Sequence, residues 1–255
     1  MAREPKKQPA RFHWRLTIGL VACGVIGVST AVAGYKASIY VANDPRFILS
    51  HERKEALTIL GLNYASRTKV LRVFAADFER NVFSVPLAER RRRLLAIDWV
   101  EDASVSRVWP DRIVVRIRER KPVAFITFRS GSLLIDAQGV LLEQPAQGEF
   151  SFPVLSGVAE ESTETERRNQ VRAFLRVEEE LGYLAKQISE VDASDPENIR
   201  IVAQVDRRVA TLLLGDGNYA QRFQNFLTHY PEIRKGSPLA KVFDLRLDGR
   251  ITVKE

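Results

Sequence analysis

The stretch from Trp99 to Ile117 reads WVEDASVSRVWPDRIVVRI and decides how the middle of the chain folds. Val100 to Val108 favours a β-strand, and Trp109 to Arg112 supplies turn chemistry, because proline presets one backbone angle and aspartate tolerates the next. Apolar residues then return at every second position: Ile113, Val115 and Ile117. This period of two is typical of a strand with one buried face. The stretch therefore predicts two strands joined by a chain reversal.

Upstream of this pair, the sequence predicts one strand and two helices. Ala56 to Leu62 is apolar enough for a buried strand, Ser66 is a suitable N-cap for a first helix, and Pro86 suits the first turn of a second. The apolar residues at helical spacing are Val70, Leu71 and Phe74, then Leu87, Leu94 and Leu95. Residues 55–122 are therefore predicted to form a β-α-α-β-β module, with Arg90 to Arg93 on a solvated helix face. The alternative for this arginine run is a contact with anionic lipid or an acidic partner.

Residues 123–255 are predicted to form a second α+β domain with an antiparallel sheet. Short strands with glycine turns open it, at Ala124 to Phe128, Leu133 to Ile135 and Val140 to Leu142. Two amphipathic helices carry Val171, Phe174, Leu175 and Leu181, and Phe223, Phe226, Leu227 and Tyr230. Further strands are predicted at Ile188 to Val191, Ile199 to Val202 and Val209 to Leu214. Last, Val242 to Leu247 and Arg250 to Val253 flank Asp248-Gly249, which is a strong hairpin signal.

An uncharged apolar stretch precedes both modules. Leu16 to Gly34 reads LTIGLVACGVIGVSTAVAG, close to the roughly 20 residues with which a helix crosses a bilayer. Basic residues precede it, and this bias keeps the amino terminus inside the cell. The sequence predicts a cytoplasmic tail (1–15), a transmembrane helix (16–40), a linker (41–54) and an exported remainder. The predicted membrane anchor consists of Leu16, Ile18, Leu20, Val21, Val25, Ile26 and Val28.

A cleavable signal peptide is the alternative interpretation of this stretch. Ala31-Val32-Ala33 fits the small-residue cleavage pattern, and the basic start is typical of such signals. Against it, the apolar run is longer than the core of a signal peptide, and Trp14, Tyr35 and Tyr40 lie near its ends, where interfacial aromatics anchor a permanent span. Under both interpretations the bulk of the chain is exported.

The composition and the polar residues give no indication of catalysis. The chain has 255 residues, 45% of them hydrophobic, and a formal net charge of +7, much of it before the apolar stretch. That distribution favours a membrane address over a nucleic-acid partner. His13, His51 and His229 are far apart, and Cys23 is the lone cysteine, so neither a metal site nor a nucleophile with its base is predicted. We expect no cofactor and no small-molecule substrate.

Several motifs together resemble those of the bacterial FtsQ/DivIB family of cell division proteins. The Trp99 to Asp111 stretch, Ile113 to Ile117, and Glu119-Arg120-Lys121-Pro122-Val123-Ala124 are similar to the signature that closes the family's POTRA domain. Four landmarks follow in the family's order: Leu134 to Gly139, Phe152 to Gly157, Leu214-Gly215 with Arg222-Phe223 and Phe226, and Asp244 to Arg246. The resemblance runs from the amino terminus nearly to the end of the chain.

The resemblance implies a bitopic inner-membrane protein of the divisome that has no enzymatic activity. It implies an N-terminus in the cytoplasm, a periplasmic bulk and a location at the division septum. By the same resemblance, the protein recruits and holds FtsB- and FtsL-type partners, with the POTRA domain aiding localisation and the last strands receiving FtsB. The residues that match or continue this terminal motif are Asp244, Leu245, Arg246, Leu247, Gly249, Arg250, Ile251, Thr252 and Val253. Leu247 departs from the family, which often has an aromatic residue there.

Physical chemistry makes the same terminal segment a candidate binding edge. A chain-terminal strand tends to lie at a sheet edge, where unpaired backbone groups can pair with an incoming strand. The alternation predicts Phe243, Leu245 and Leu247 on the core side, and Asp244 and Arg246 facing outward. The alternative is that these two charges are ordinary solvated residues.

Two other functions are compatible with parts of the sequence. POTRA domains also occur in barrel-assembly and secretion proteins, which would make the chain a transport or assembly factor. A membrane-tethered periplasmic hydrolase would need a polar constellation that the sequence does not offer. The resemblance to the FtsQ/DivIB family implies instead a non-enzymatic scaffold that binds other division proteins.

Overall fold

The computed structural model describes residues 12–247 and 249–254. Backbone contacts divide the chain into two compact units, each built from segments that are separate in sequence. The first unit draws on Met1–Thr58, Phe74–Ala88 and Val105–Val115. The second draws on Ile59–Val73, Glu89–Ser104 and Arg116–Glu255. The larger of the two β-sheets lies within the second unit.

Helix α1 spans Phe12–Asn43, and a 3-10 turn follows at Pro45–Phe47. The described side chains of the predicted anchor are exposed, namely Ile18, Val21, Val25, Ile26 and Val28. The side chains of Leu16 and Leu20, and residues 1–11 of the predicted tail, lie outside the described residues. A search restricted to the described residues finds no helix that combines the length and the apolarity needed to cross a membrane.

The predicted β-α-α-β-β order is confirmed. It consists of β1 (Leu57–Leu60), α2 (Arg67–Phe74), α3 (Leu87–Leu95), β2 (Val100–Val108) and β3 (Arg112–Glu119). The strands form a three-stranded sheet in the order β1-β3-β2. The predicted alternation in β3 is also confirmed, because Ile113, Val115 and Ile117 are buried.

Two side chains of the short helices lie differently from the prediction. Leu71 is exposed, whereas its neighbour Val70 and the next turn's Phe74 are fully buried, because successive helical positions are about 100° apart around the axis. Arg90 is buried rather than solvated. It shares a helix face with Leu94, four residues on, and Leu94 is buried. The Arg90 guanidinium lies 3.4 Å from the Glu89 carboxylate.

The larger sheet has nine strands in the order β12-β11-β10-β9-β8-β7-β4-β5-β6. Its strands are β4 (Pro122–Phe128), β5 (Gly131–Asp136), β6 (Leu141–Leu142), β7 (Val154–Ser156), β8 (Ile188–Asp192), β9 (Ile199–Val205), β10 (Arg208–Gly215), β11 (Val242–Asp244) and β12 (Thr252–Lys254). Its helices are α4 (Glu164–Leu181) and α5 (Tyr219–Gly236). Strands β12 and β6 are therefore its two edges among the described strands.

This sheet is mixed, which corrects the prediction of an antiparallel sheet. The pairs β4–β7, β7–β8 and β10–β11 are parallel. Parallel neighbours need a crossover of roughly a dozen residues or more. Helix α4 provides it between β7 and β8, and helix α5 between β10 and β11. Hairpin signals identify antiparallel neighbours only, so the sequence interpretation missed these pairings.

Helices α4 and α5 bury their apolar faces against this sheet. Thr163 caps α4 in a reciprocal capping box with Glu166. The predicted face residues Val171, Phe174, Leu181, Phe223, Phe226 and Tyr230 are buried. The Phe226 ring lies 4.9 Å from the ring of Phe243 on β11, centroid to centroid. Helix α5 therefore holds β11 in place next to the chain terminus.

Candidate partner-binding edge

Strand β12 forms an open edge of the nine-stranded sheet. It pairs antiparallel with β11, so that Phe243 lies opposite Val253 and Asp244 opposite Thr252. The predicted pairing of these segments is thus present, but each strand has only three residues. Strand β12 is the last strand in the sheet order of the described residues, so the outward-pointing backbone groups of β12 have no neighbouring strand there.

The hydrogen bonds of β11 determine which backbone groups of β12 point outward. The carbonyl of Lys241 and the N–H of Leu245 both bond to β10, so Phe243, two residues from each, also directs its backbone to β10. Asp244 then directs its backbone to β12, where it meets Thr252. By alternation, the N–H and C=O of Val253 point away from β11 to the open edge.

Asp244 connects β11, β12 and the segment between them. The Arg246 guanidinium donates to both of its carboxylate oxygens, Nε to Oδ1 at 2.9 Å and Nη2 to Oδ2 at 2.7 Å. The Arg246 N–H donates to Oδ1 at 3.2 Å, and Lys254 Nζ lies 3.5 Å from Oδ2. These interactions, the side-chain hydrogen bonds of Arg246 foremost, lower the pKa of the Asp244 carboxyl from 3.8 to about 2.

Leu247 lies differently from the prediction. Leu245 is buried as predicted, but Leu247 is 63% exposed and does not face the core. Strand β11 ends at Asp244, so the period of two no longer applies beyond it. The N–H of Arg250 donates to the carbonyl of Leu247 at 3.1 Å, which makes this segment a turn. The predicted turn residue Asp248 lies outside the described residues, and Gly249 has a φ of +71°.

A cavity of about 240 Å³ lies between this turn and helix α5. The terminal segment contributes Leu245, Leu247, Gly249, Arg250 and Ile251, and α5 contributes Gln221, Arg222 and Asn225. The structure therefore brings five of the predicted site residues together at one cavity. Asp244, Arg246, Thr252 and Val253 do not line it. Asp244 and Arg246 form an ion pair next to the cavity, and Thr252 and Val253 belong to the edge strand β12.

The α5 wall was missed as part of the site, although Arg222 belongs to a sequence landmark. Its Nη1 donates to the Leu214 carbonyl and lies 3.8 Å from the Asp216 carboxylate. Gly215 permits this approach, since a Cβ there would lie 3.0 Å from Arg222 Nη1 and 3.3 Å from Arg246 Cγ. The one sequence signal was the family landmark that combines Leu214-Gly215 with Arg222-Phe223, and it does not say which residues Arg222 contacts.

The chemistry of this site is suited to binding. Its wall combines the exposed apolar side chain of Leu247 with amide and guanidinium groups, beside the backbone groups of an edge strand. Across residues 12–247 and 249–254, no group of three or more His, Cys, Asp or Glu side chains could hold a metal ion. His51 packs against Phe78, and His229 Nδ1 lies 2.9 Å from the Asn225 carbonyl.

Two family models match the chain and define its class. Residues 53–120 match the POTRA domain, FtsQ-type, and residues 124–246 match the C-terminal domain of cell division protein FtsQ/DivIB. The chain is therefore a POTRA-containing cell division protein. The second match ends at Arg246, so the residues from Leu247 to Val253 lie beyond it.

Comparison with curated relatives gives the family. The chain is 36% identical over 253 residues to the cell division protein FtsQ of Koribacter versatilis (strain Ellin345), covering 97% of this chain and 71% of that protein. It is 26% identical over 255 residues to FtsQ of Shewanella oneidensis (strain MR-1), covering 98% and 90% respectively. The chain belongs to the FtsQ family of cell division proteins, which are non-enzymatic scaffolds.

Proposed function

We propose that this protein recruits and holds FtsB- and FtsL-type division proteins at the septum by accepting a partner strand at the edge of β12. The observation that supports this most directly is the outward direction of the Val253 backbone at the end of the sheet order. Main-chain hydrogen bonds give affinity in strand addition, and side-chain pockets give specificity. The POTRA module over residues 55–122 contributes further contacts, and residues 123–255 form the partner-binding module.

The cavity beside β12 can select among partners by the side chains that they insert into it. Arg222 and Arg250 supply positive charge at its wall, and Leu245, Leu247 and Ile251 supply apolar surface. A partner segment that carries a carboxylate next to an apolar residue complements both features. The strand therefore provides the register, and the cavity discriminates among partners.

A proline substitution tests the proposed strand addition. Val253→Pro removes an N–H that points to the open edge, whereas Val253→Ala keeps it. We expect the full chain in detergent micelles to capture an FtsB-type periplasmic segment as wild type and as Val253→Ala, but not as Val253→Pro. Circular dichroism must give the same folded spectrum for all three. Equal capture by a folded Val253→Pro protein would refute strand addition at β12.

We also propose that α1 anchors the protein in the bacterial inner membrane, with the amino terminus in the cytoplasm and the modules in the periplasm. The uncharged stretch from Leu16 to Gly34 within α1 and the basic residues that precede it support this topology. Protease added to spheroplasts should digest the C-terminal portion while a cytosolic control survives. A C-terminal portion as protected as the cytosolic control, next to a digested exported control, would overturn the topology.

A further inference from the structure

The first unit contains a group of three packed aromatic rings, of which Phe47 is half-buried and follows α1 closely, and the other two are exposed. Phe47, Phe83 and Trp109 pack mutually edge to face, with ring centroids 5.5 Å apart for Phe47–Phe83, 5.4 Å for Phe47–Trp109 and 5.3 Å for Phe83–Trp109. Phe83 is 38% exposed and Trp109 is 65% exposed. We call these three residues the aromatic trio. An exposed apolar group of this kind marks an interaction surface more often than a lone exposed residue does.

The chain holds the trio rigidly. The Arg107 guanidinium donates to the Val82 carbonyl at 2.8 Å, to the Phe83 carbonyl at 3.2 Å and to the Val85 carbonyl at 2.6 Å. Arg107 lies on β2, the strand that precedes Trp109. Its side chain therefore connects β2 to the segment that contains Phe83. The rings are therefore ordered before any partner arrives, which lowers the entropic cost of binding.

An open groove that carries two cationic side chains lies where the end of α1 meets the following 3-10 turn. It is lined by Lys36, Ile39, Tyr40, Asp44, Pro45 and Arg46. The buried Asp44 carboxylate accepts from Arg46 Nε at 3.1 Å and from Nη2 at 2.7 Å, and the Arg46 side chain stays 71% exposed. Lys36 and Tyr40 are exposed on α1. The groove thus presents the ammonium group of Lys36, the phenol of Tyr40 and the guanidinium of Arg46. Arg46 directly precedes Phe47 in the sequence.

The geometry points to a membrane surface as the partner, and we propose that the groove and the aromatic trio seat the first unit on the lipid headgroups of the outer leaflet. This rests on the proposed anchoring by α1. Helix α1 has 32 residues and is about 48 Å long, close to the roughly 40–45 Å of a bilayer with its headgroups. Its end at Asn43 therefore lies at headgroup level.

The trio cannot lie far from that level. Phe47 lies four positions after Asn43, which limits their Cα separation to about 14 Å, and the Phe47 ring packs against both other rings. Trp and Tyr concentrate at membrane–water interfaces, and Lys and Arg reach lipid phosphates from there. The cations of the groove complement anionic phosphate, which favours a lipid surface over an apolar protein face.

Tryptophan fluorescence in brominated lipid tests whether the aromatic trio contacts the bilayer. The full chain is reconstituted in vesicles of phosphatidylethanolamine and phosphatidylglycerol, with and without brominated acyl chains, as Trp14→Phe and as Trp14→Phe/Trp109→Phe. Trp99 remains in both variants and is buried, so it supplies a constant background. We expect brominated lipid to quench Trp14→Phe emission, and we expect that loss of emission to vanish in the double variant.

Three other outcomes overturn the proposal in distinguishable ways. In the first outcome, the protein resists alkaline extraction but brominated lipid leaves the Trp109 emission unchanged. This result refutes the contact between the aromatic trio and lipid and is compatible with the proposed anchor. In the second outcome, alkali extracts the protein from the vesicles. This result refutes the proposed anchor and also the lipid contact that depends on it. If Trp109 is instead accessible to aqueous iodide until an FtsB- or FtsL-type segment is added, the trio binds protein. Far-ultraviolet circular dichroism, which reports the backbone, must give the same spectrum for both variants and wild type.

Discussion

Arg246 holds Asp244 through a two-bond fork, with Nε and Nη2 at 2.9 Å and 2.7 Å from the two carboxylate oxygens. The same guanidinium reaches the side-chain oxygen of Asn198 through Nη1 at 3.3 Å. Lys254 approaches Asp244 from β12. One carboxylate therefore links the end of β11, the following turn and the edge strand. We infer that it fixes the position of the β12 edge relative to the cavity.

Replacing Asp244 by Asn should destabilise this terminal segment in a pH-dependent way. Asparagine keeps the size but loses the charge-assisted fork, at a cost of roughly 1–2 kcal/mol once the half-exposed Arg246 is allowed for. Because the folded pKa is lowered to about 2 from 3.8, the charged carboxylate favours folding above 3.8. The difference from wild type should shrink as the pH falls from 3.8 towards 2. Urea unfolding of the full chain in detergent micelles measures it.

A matched control is Asp102→Asn, which removes a carboxylate that pairs with Arg91 at 2.9 Å while both side chains are 49% exposed. Such an exposed pair contributes little to the free energy of unfolding. If Asp244→Asn unfolds at the same urea concentration as wild type near neutral pH, the fork does not stabilise the fold.

Leu247 and Leu245 should separate binding from folding. Leu247 is exposed at the cavity, so Leu247→Ala should leave the free energy of unfolding within about 0.5 kcal/mol of wild type. It should weaken capture of an FtsB-type segment by roughly fivefold, which corresponds to about 1 kcal/mol of lost apolar contact. Leu245 is 2% exposed, so Leu245→Ala should cost about 2–4 kcal/mol of stability. Titration of a labelled partner segment, next to urea unfolding, distinguishes the two effects.

Much of this fold could be predicted because local patterns carry it. The alternation of Ile113, Val115 and Ile117 places β3, and the bounds of β2 are those predicted. The helical spacing around Phe174 and Phe226 identifies the two long helices. These signals depend on neighbours close in sequence, which is why a single chain suffices to find them.

The remainder depends on contacts between distant segments. The parallel pairing of β10 with β11 follows from where α5 packs, and no hairpin signal encodes it. The strand Val154–Ser156 is too short for a periodic pattern. Leu247 was expected inside because the alternation was extended past the end of β11. The α5 wall of the cavity could not be recognised before the fold brought Arg222 beside the terminal turn.

Asp136 should be among the most sensitive polar residues of the second unit. It is 1% exposed and pairs with Arg120 at 2.8 Å, and its Oδ1 accepts from the N–H groups of Gln138 at 3.0 Å and Val140 at 2.8 Å. Removing one partner of a buried pair leaves the other charge uncompensated. We expect Asp136→Ala to cost about 3 kcal/mol or more and Asp136→Asn to cost less, because the amide oxygen can still accept. Equal stability of Asp136→Ala and wild type in urea would contradict a structural role for the pair.

Glu119 should stabilise the chain just before α2. Its Oε1 accepts three successive backbone N–H groups, from Asn63 at 2.8 Å, Tyr64 at 2.9 Å and Ala65 at 2.8 Å. Glu119→Ala leaves three donors without this acceptor, and since water can reach Asn63 and Tyr64, we expect a cost of only about 1–2 kcal/mol. Glu119→Gln keeps an amide oxygen in place and should lose about half of that. Hydrogen exchange at Ala65, a buried residue, should accelerate more in Glu119→Ala than in Glu119→Gln. Equal exchange rates in both variants would mean that the acceptor oxygen at residue 119 does not protect this segment.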